Sequence, residues 1–316
     1  FITDDDKELM PVYLRFLKGI IDTEDLPLNV SREILQKNKV LDKIKRNSVK
    51  KVLKAIENLS KKDDKKYADF YSLYGINLKE GLYQDFDNRE LLLELVRFKT
   101  SKSDSSVSLS GYVANMKKDQ KSIFYIVGDN FESIKKSPLL ETCNQKDVEV
   151  LIMDDDIDEF VFSNVMQYKE FSFKSINHAD AMEELQTDDN KKEVEDSIPL
   201  LKKIKAVLGD KVKDVLVSKR LTNSPSCIVA DSNDPTAQMQ KIMQQMGQAN
   251  MPKAKPILEI NPKHKILKKM SKMTKTKQFN DSVFLVYEQA LIAENIKLEN
   301  PIEFIDRVNR VLEKAL

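Results

Sequence analysis

The chain has 316 residues with 52 Lys plus Arg against 51 Asp plus Glu, a formal net charge of +1 that argues against a generally basic nucleic-acid binder. Its 41% hydrophobic fraction suffices for real cores, while 33% charged residues and a mean hydropathy of −0.46 predict a soluble, helix-rich protein with no membrane-spanning run. Seven Gly and no Trp disfavour β-sandwiches and phosphate-cradling loops, which consume positive-φ positions.

Phe1–Lys7 shows neither a basic n-region nor an apolar h-region, and the first residue is not Met, so the sequence reads as a fragment whose upstream part is absent. Pro11 suits a first helical position, and Tyr13, Phe16, Leu17 and Ile20 at three-to-four spacing predict a helix ending near Gly19 and the acidic residues 22–25. After a loop at 26–30, Ser31 can cap a long helix striped by Ile34, Leu41, Ile44, Val49, Val52, Ile56 and Leu59. Two more helices are predicted at about 64–74 and 88–98. Residues 37–66 hold twelve Lys or Arg against four acids, and no aromatics. That pattern reads as a solvated helix face, with an acidic partner surface or the acidic linker of the same chain as the alternative.

Residues 101–110 are Ser/Asp-rich and predict a loop. Beyond it, Ser122–Val127 and Glu149–Met153 read as buried strands around a helix at about 130–144, and a helix at about 156–167 leads to Phe171–Phe173, giving a small βαβαβ unit. Residues 180–197 carry eight acids and two lysines, which places a domain boundary there. A helix at about 198–208 and strand-like runs at 214–221 and 226–230 follow. Asp234-Pro235, Asn261-Pro262 and Asn300-Pro301 each pair a capping side chain with a proline at N1 of a later helix.

Cys143 and Cys227 fit neither a disulfide scaffold nor a zinc site, so the compartment is read as reducing and no metal is expected. Gly128 stands alone where a dinucleotide-binding turn needs three glycines, so the sheet is read as structural. Asp154, Asp155, Asp156, Asp158 and Glu159 lack the central Gly and final Glu of a calcium loop and read as acids at a helix N-terminus. His178 and His264 lack a catalytic motif around them and are read as packing or surface residues. Met239, Ile242, Met243 and Met246 occupy i, i+3, i+4 and i+7 on an otherwise Gln/Lys helix. Periodicity leaves both core packing and an adaptable partner surface open for that stripe.

Within 279–293, Phe279, Val283, Val286, Tyr287, Ala290 and Leu291 join other apolar residues to surround the helix, and a last helix adds Ile302, Phe304, Ile305, Val308, Val311 and Leu312. Two such helices per chain predict a four-helix bundle formed by a homodimer.

The segment Asp22-Thr23-Glu24-Asp25-Leu26-Pro27-Leu28-Asn29-Val30-Ser31-Arg32-Glu33-Ile34-Leu35-Gln36 resembles the ninety-kilodalton heat-shock chaperone family, in its bacterial HtpG branch. The resemblance continues through Leu9-Met10-Pro11, Ile123–Ile126, Ile157-Asp158-Glu159 and Leu258–His264. It implies a helix-rich α+β multi-domain fragment: residues 1–182 as the later part of the middle domain, 183–197 as an acidic linker, and 198–316 as the C-terminal dimerisation domain. Within the first, 1–36 would hold the catalytic loop, 37–118 a helical segment and 119–180 the βαβαβ subdomain.

By the same resemblance, Arg32 is the arginine that reaches the γ-phosphate of ATP held with magnesium by another domain, and Gln36 lies on the same catalytic loop. A guanidinium that keeps its charge and offers forked donors suits that task. Phe160 and the stripe Met239, Ile242, Met243 and Met246 are implied as the surface for unfolded or partly folded client proteins. A DnaK-type chaperone is implied as a partner, and a cytoplasmic location, without nucleic acid or membrane. The chain ends at Ala315-Leu316 without an acidic EEVD-type tail, so partners that read that tail are not expected. The fragment alone is expected to bind no ATP and no other cofactor. The alternatives are a nucleotide-independent dimeric adaptor, and a nucleotide-dependent enzyme built on 122–176.

Overall fold

Among the described residues buried apolar positions repeat at helical spacing, and four short strands are buried at every residue, so an α+β architecture results. The structure, a computed structural model, describes residues 9–22, 39–185, 191–247 and 254–315. In chain order, a 3₁₀ turn at Val12–Leu14 precedes α1 (Lys39–Lys62), α2 (Asp64–Gln84), α3 (Arg89–Leu95), β1 (Arg97–Thr100), β2 (Val107–Ser108) and α4 (Leu109–Asn115). There follow β3 (Ser122–Val127), α5 (Phe131–Ile134), α6 (Glu141–Gln145), β4 (Leu151–Met153), α7 (Asp158–Phe162), β5 (Gln167–Tyr168) and β6 (Phe171–Ser175). The remainder comprises α8 (Lys191–Leu208), β7 (Asp214–Val217), β8 (Ser226–Val229), α9 (Ala237–Gln245), β9 (Ile257–Ile260), α10 (Lys265–Met270), α11 (Thr276–Ala293) and α12 (Pro301–Ala315). Among the described residues no helix is long and apolar enough to cross a membrane.

The chain forms two compact units, one of residues 1–98, 106–114 and 160–169, the other of 99–105, 115–159 and 170–316. In the first, the helix expected from Pro11 is only the 3₁₀ turn, because its aromatics are used against α2 instead of along one helix face. Tyr13 is fully buried and donates to Asp85 Oδ2 at 2.7 Å, and Phe16 stacks on Tyr74 with centroids 4.4 Å apart. Gly81 permits this approach, since a Cβ there would lie 2.9 Å from the Tyr13 ring. In α1, Val49, Leu53 and Ile56 face the core, and Lys43, Arg46, Lys50, Lys51 and Lys54 are exposed.

In the second unit the expected βαβαβ arrangement is present. β3 lies between parallel neighbours β4 and β6, and Lys99 and Thr100 of β1 add an antiparallel edge to β4. The single helix expected at 130–144 is broken into α5, a 3₁₀ turn at Pro138–Leu140 and α6, because Ser137 caps a new start before Pro138. Gly128 serves packing: a Cβ there would meet Ile134 at 2.8 Å.

The three-stranded sheet β7-β9-β8 follows, with β7 parallel and β8 antiparallel to β9. Its two faces enter different cores. Val215, Ile228, Leu258 and Ile260 pack with α8, α10 and α11, whereas Cys227, Val229 and Ile257 pack with the β3 layer. α8 begins seven residues before its expected start, reaching back into the acidic segment with Pro199 inside the helix.

One buried ion pair joins these layers. Arg220, fully buried, places Nε 3.0 Å from Glu259 Oε2 and Nη2 3.1 Å from Oε1. The same guanidinium donates to the Ile176 carbonyl and, at 3.0 Å, to that of His178. Backbone bonds between Ala179 and Ala230 and between Ala230 and Asn177, 3.0 and 2.9 Å, close the seam. Arg220→Met and Glu259→Gln should each lower stability by about 3–5 kcal/mol by stranding a buried charge or donors, and Arg220→Met/Glu259→Leu should recover part of the loss; urea unfolding measures all three.

Glu294 is half-buried, accepts from Ser137 Oγ at 2.9 Å and has its carboxyl pushed up to about 7, chiefly by desolvation. An acid whose native pKa exceeds its unfolded value holds its proton better when folded, so stability declines as pH rises from about 4.5 to about 7. Glu294→Gln should remove that decline, so melting temperatures of the two proteins measured at about pH 5 and about pH 8 should diverge in the variant's favour at the higher pH.

Candidate functional site

The helix carrying the methionine stripe is α9, and its start is set by Thr236, not by Asp234-Pro235. Thr236 Oγ1 accepts from Met239 N at 3.1 Å and donates to Glu159 Oε1 at 2.8 Å. Burial is the main cause raising the Glu159 carboxyl above the usual range, against the Thr236 hydrogen bond, and its Oε2 has no hydrogen-bond partner. Further along, Lys241 Nζ lies 2.9 Å from Asp129 Oδ1, and Gln240 Nε2 donates to the Pro235 carbonyl at 3.2 Å. The stripe therefore runs from core to solvent: Met239 is 9% exposed, Ile242 and Met243 are half-buried, and Met246 is 66% exposed. Phe160 belongs to the first unit, half-buried against Tyr83 with ring centroids 4.5 Å apart.

The C-terminal helices divide their apolar residues differently from the sequence expectation. Phe279, Val283, Val286, Tyr287, Ala290 and Leu291 of α11 are all buried in the chain's own core. Ser226 Oγ donates to the Val286 carbonyl at 2.8 Å, and Tyr287 Oη to that of Lys211 at 3.2 Å, so α11 is packed on the sheet beneath it. The all-round apolar pattern is thus largely accounted for within one chain. α12 is fixed to α11 by charge: Arg307 Nη1 lies 2.5 Å from Glu288 Oε1, and Arg310 Nη2 2.9 Å from Asp281 Oδ1. Arg310 holds the Asp281 carboxyl below the usual range. The other side of α12 shows solvent Ile302 and Ile305, 72% and 54% exposed, with Leu312 also exposed and Val308 half-buried. These four form a stripe one helix face wide.

Arg32 and Gln36 lie outside the described residues. His264 caps α10, its Nδ1 accepting from Ile266 N at 3.2 Å, so the capping role expected of Asn261 at the second Asx-Pro site passes to the residue before the helix. At Asn300 the expected cap is formed, with Oδ1 accepting from Glu303 N at 3.2 Å. His178 sits in the seam, its Nε2 3.3 Å from the Asp234 carbonyl oxygen. Cys143 and Cys227 are free and buried, and burial pushes the Cys143 thiol up to about 11. Among the described residues no three His, Cys, Asp or Glu side chains converge to hold a metal ion.

The family model for the Hsp90 protein matches residues 1–316. The chain belongs to the Hsp90 family. It is 49% identical to the chaperone protein HtpG of Treponema denticola over 99% of its length, and 47% identical to those of Treponema pallidum and Aliarcobacter butzleri over its whole length. It spans about half the length of these relatives, 50% in each case.

Sequence reading missed Glu159, Asp129 and Arg220 as organising residues of this Hsp90-family chain. Asp129 carried no signal, standing in a polar loop. Glu159 was one of five acids read as complementing a helix N-terminus. Arg220 lay within the strand-like run expected at 214–221 beside Lys219 and was not singled out; its partner Glu259, the lone polar residue inside an apolar Ile-Leu-Glu-Ile strand, is the signal that could have found the pair.

Proposed function

We propose that this chain is the later middle-domain and C-terminal part of a cytoplasmic, ATP-driven, homodimeric chaperone of the HtpG type, with the domain boundary at 183–197. The observation that carries the reading is the match to the Hsp90 family over the entire chain, including the segment around Arg32. In this reading Arg32 and Gln36 act on ATP and magnesium held by a nucleotide domain in the part of the protein outside this chain. Arg32 neutralises charge on the transferred phosphoryl oxygens, and delivery of that guanidinium from a separate domain couples turnover to closure of the dimer. The chain's own part is to bind unfolded or partly folded clients through Phe160, Ile242, Met243 and Met246, to hold two protomers together, and to meet a DnaK-type partner chaperone. Flexible thioether side chains re-pack against many sequences, which suits a surface that must accept varied clients.

The dimer reading is supported by the outward stripe of α12 and refined by α11: Ile302, Ile305, Val308 and Leu312 face the partner, while the α11 residues hold the platform beneath them. A short apolar stripe on a helix already fixed by ion pairs is suited to a two-fold contact with its own copy.

Ile305→Asp should halve the mass of the 316-residue chain in light scattering, and an unaltered dimer mass would refute the α12 contact. In the full-length protein, Arg32→Ala should reduce steady-state ATP turnover by about a hundredfold or more with nucleotide affinity nearly unchanged. Wild-type turnover in that variant would remove the assignment.

A further inference from the structure

Asp129 sits in the loop after β3 and serves no core, yet three elements meet at its carboxylate. Lys241 of α9 approaches Oδ1 at 2.9 Å, and Asn295, just past the end of α11, donates its amide to Oδ2. Gln238 of α9 also hydrogen-bonds to it, and together these donors hold the carboxyl below the usual range against the opposing effect of its burial. Asn295 has φ 55°, the left-handed conformation of a residue closing a helix, which Asn tolerates better than most side chains. The preceding residue, Glu294, is half-buried and accepts from Ser137 Oγ. The end of α11 is thereby anchored on the β3 layer at two consecutive residues.

Helix α9 has nine residues, too few to persist in water unaided. Its first turn is held by Thr236 and Glu159, and its second turn, from which Ile242 and Met243 project, is held by Lys241 on Asp129. α9 and the end of α11 therefore share one carboxylate, and neither can shift without altering the donor set of the other.

We propose that Asp129 is a positioning residue that links the methionine helix α9 to the C-terminal end of α11, so that a change at either is felt at the other. Calling α9 the client-facing element rests on the function proposed above; the linkage itself does not. Coupling through one shared acceptor is reciprocal, because the donors from α9 and the donor past α11 each stabilise the carboxylate position the other requires.

Hydrogen exchange on the 316-residue chain tests the linkage. Lys241→Met should speed exchange at 290–296 as well as at 237–247, and Asn295→Gly, which keeps the left-handed backbone, should speed exchange at 237–247, each by about three- to tenfold. Lys241→Arg should restore protection at both segments. Neither Lys241→Met nor Asn295→Gly should have a distant effect when introduced into Asp129→Asn. Effects confined to each variant's own segment, or distant effects persisting in Asp129→Asn, would overturn the proposal. Reduced, carboxymethylated α-lactalbumin as an unfolded probe separates the two readings. Protection at 237–247 and 290–296 in the parent, shrinking to 237–247 alone in Asp129→Asn, supports both. Absence of protection at 237–247 in the parent refutes the client role of α9, while the variants without probe still decide the linkage.

Discussion

A charge that cannot be lost, placed where water cannot reach it, organises the second unit. Arg220 must be satisfied by protein, and it is: the Glu259 carboxylate takes Nε and Nη2, and carbonyls at 176–179 take the remaining donors. Those carbonyls belong to the chain leaving β6, whereas Glu259 lies in the central strand of the other sheet. Two sheets that could each form alone are thus obliged to meet in one register. The cores on either side then follow, since Cys227, Val229 and Ile257 are turned toward the β3 layer only in that arrangement.

The same economy governs the helices around that seam. α11 commits its apolar residues to the chain's own core, and α12 is carried on it by Arg307 and Arg310, so the apolar side of α12 is free of intrachain packing duty. α9 is held at its first and second turns by carboxylates of the β3 layer, leaving the stripe graded from buried Met239 to exposed Met246. In both cases charged or hydrogen-bonded anchors fix a helix whose apolar residues are thereby left to face outward. A helix anchored by its apolar face would have none to offer.

Much of the fold was legible in the sequence because it depends on local rules. The strands β3 and β4, and α11 and α12, were written in periodicity, and the cap at Asn300 in a two-residue pattern. What was not legible depends on distant partners. Tyr13 and Phe16 look like one helix face until α2 supplies Gly81, Asp85 and Tyr74 as their environment. The stripe on α11 looked like a two-chain interface because periodicity reports that a side is buried and not which chain buries it. Asp129 was invisible for the same reason: its donors lie more than a hundred residues away, at 241 and 295.

The Glu141 side chain reaches the turn at Thr222-Asn223-Ser224, where its carboxylate accepts backbone N–H groups from all three residues at 2.6 to 3.2 Å and the Ser224 hydroxyl at 2.5 Å. Such a concavity of converging amides is the kind that elsewhere captures a free phosphate or sulfate. Because the polypeptide brings its own counter-anion on a helix of the facing layer, the closure of the turn is written into the genome instead of being borrowed from the solvent.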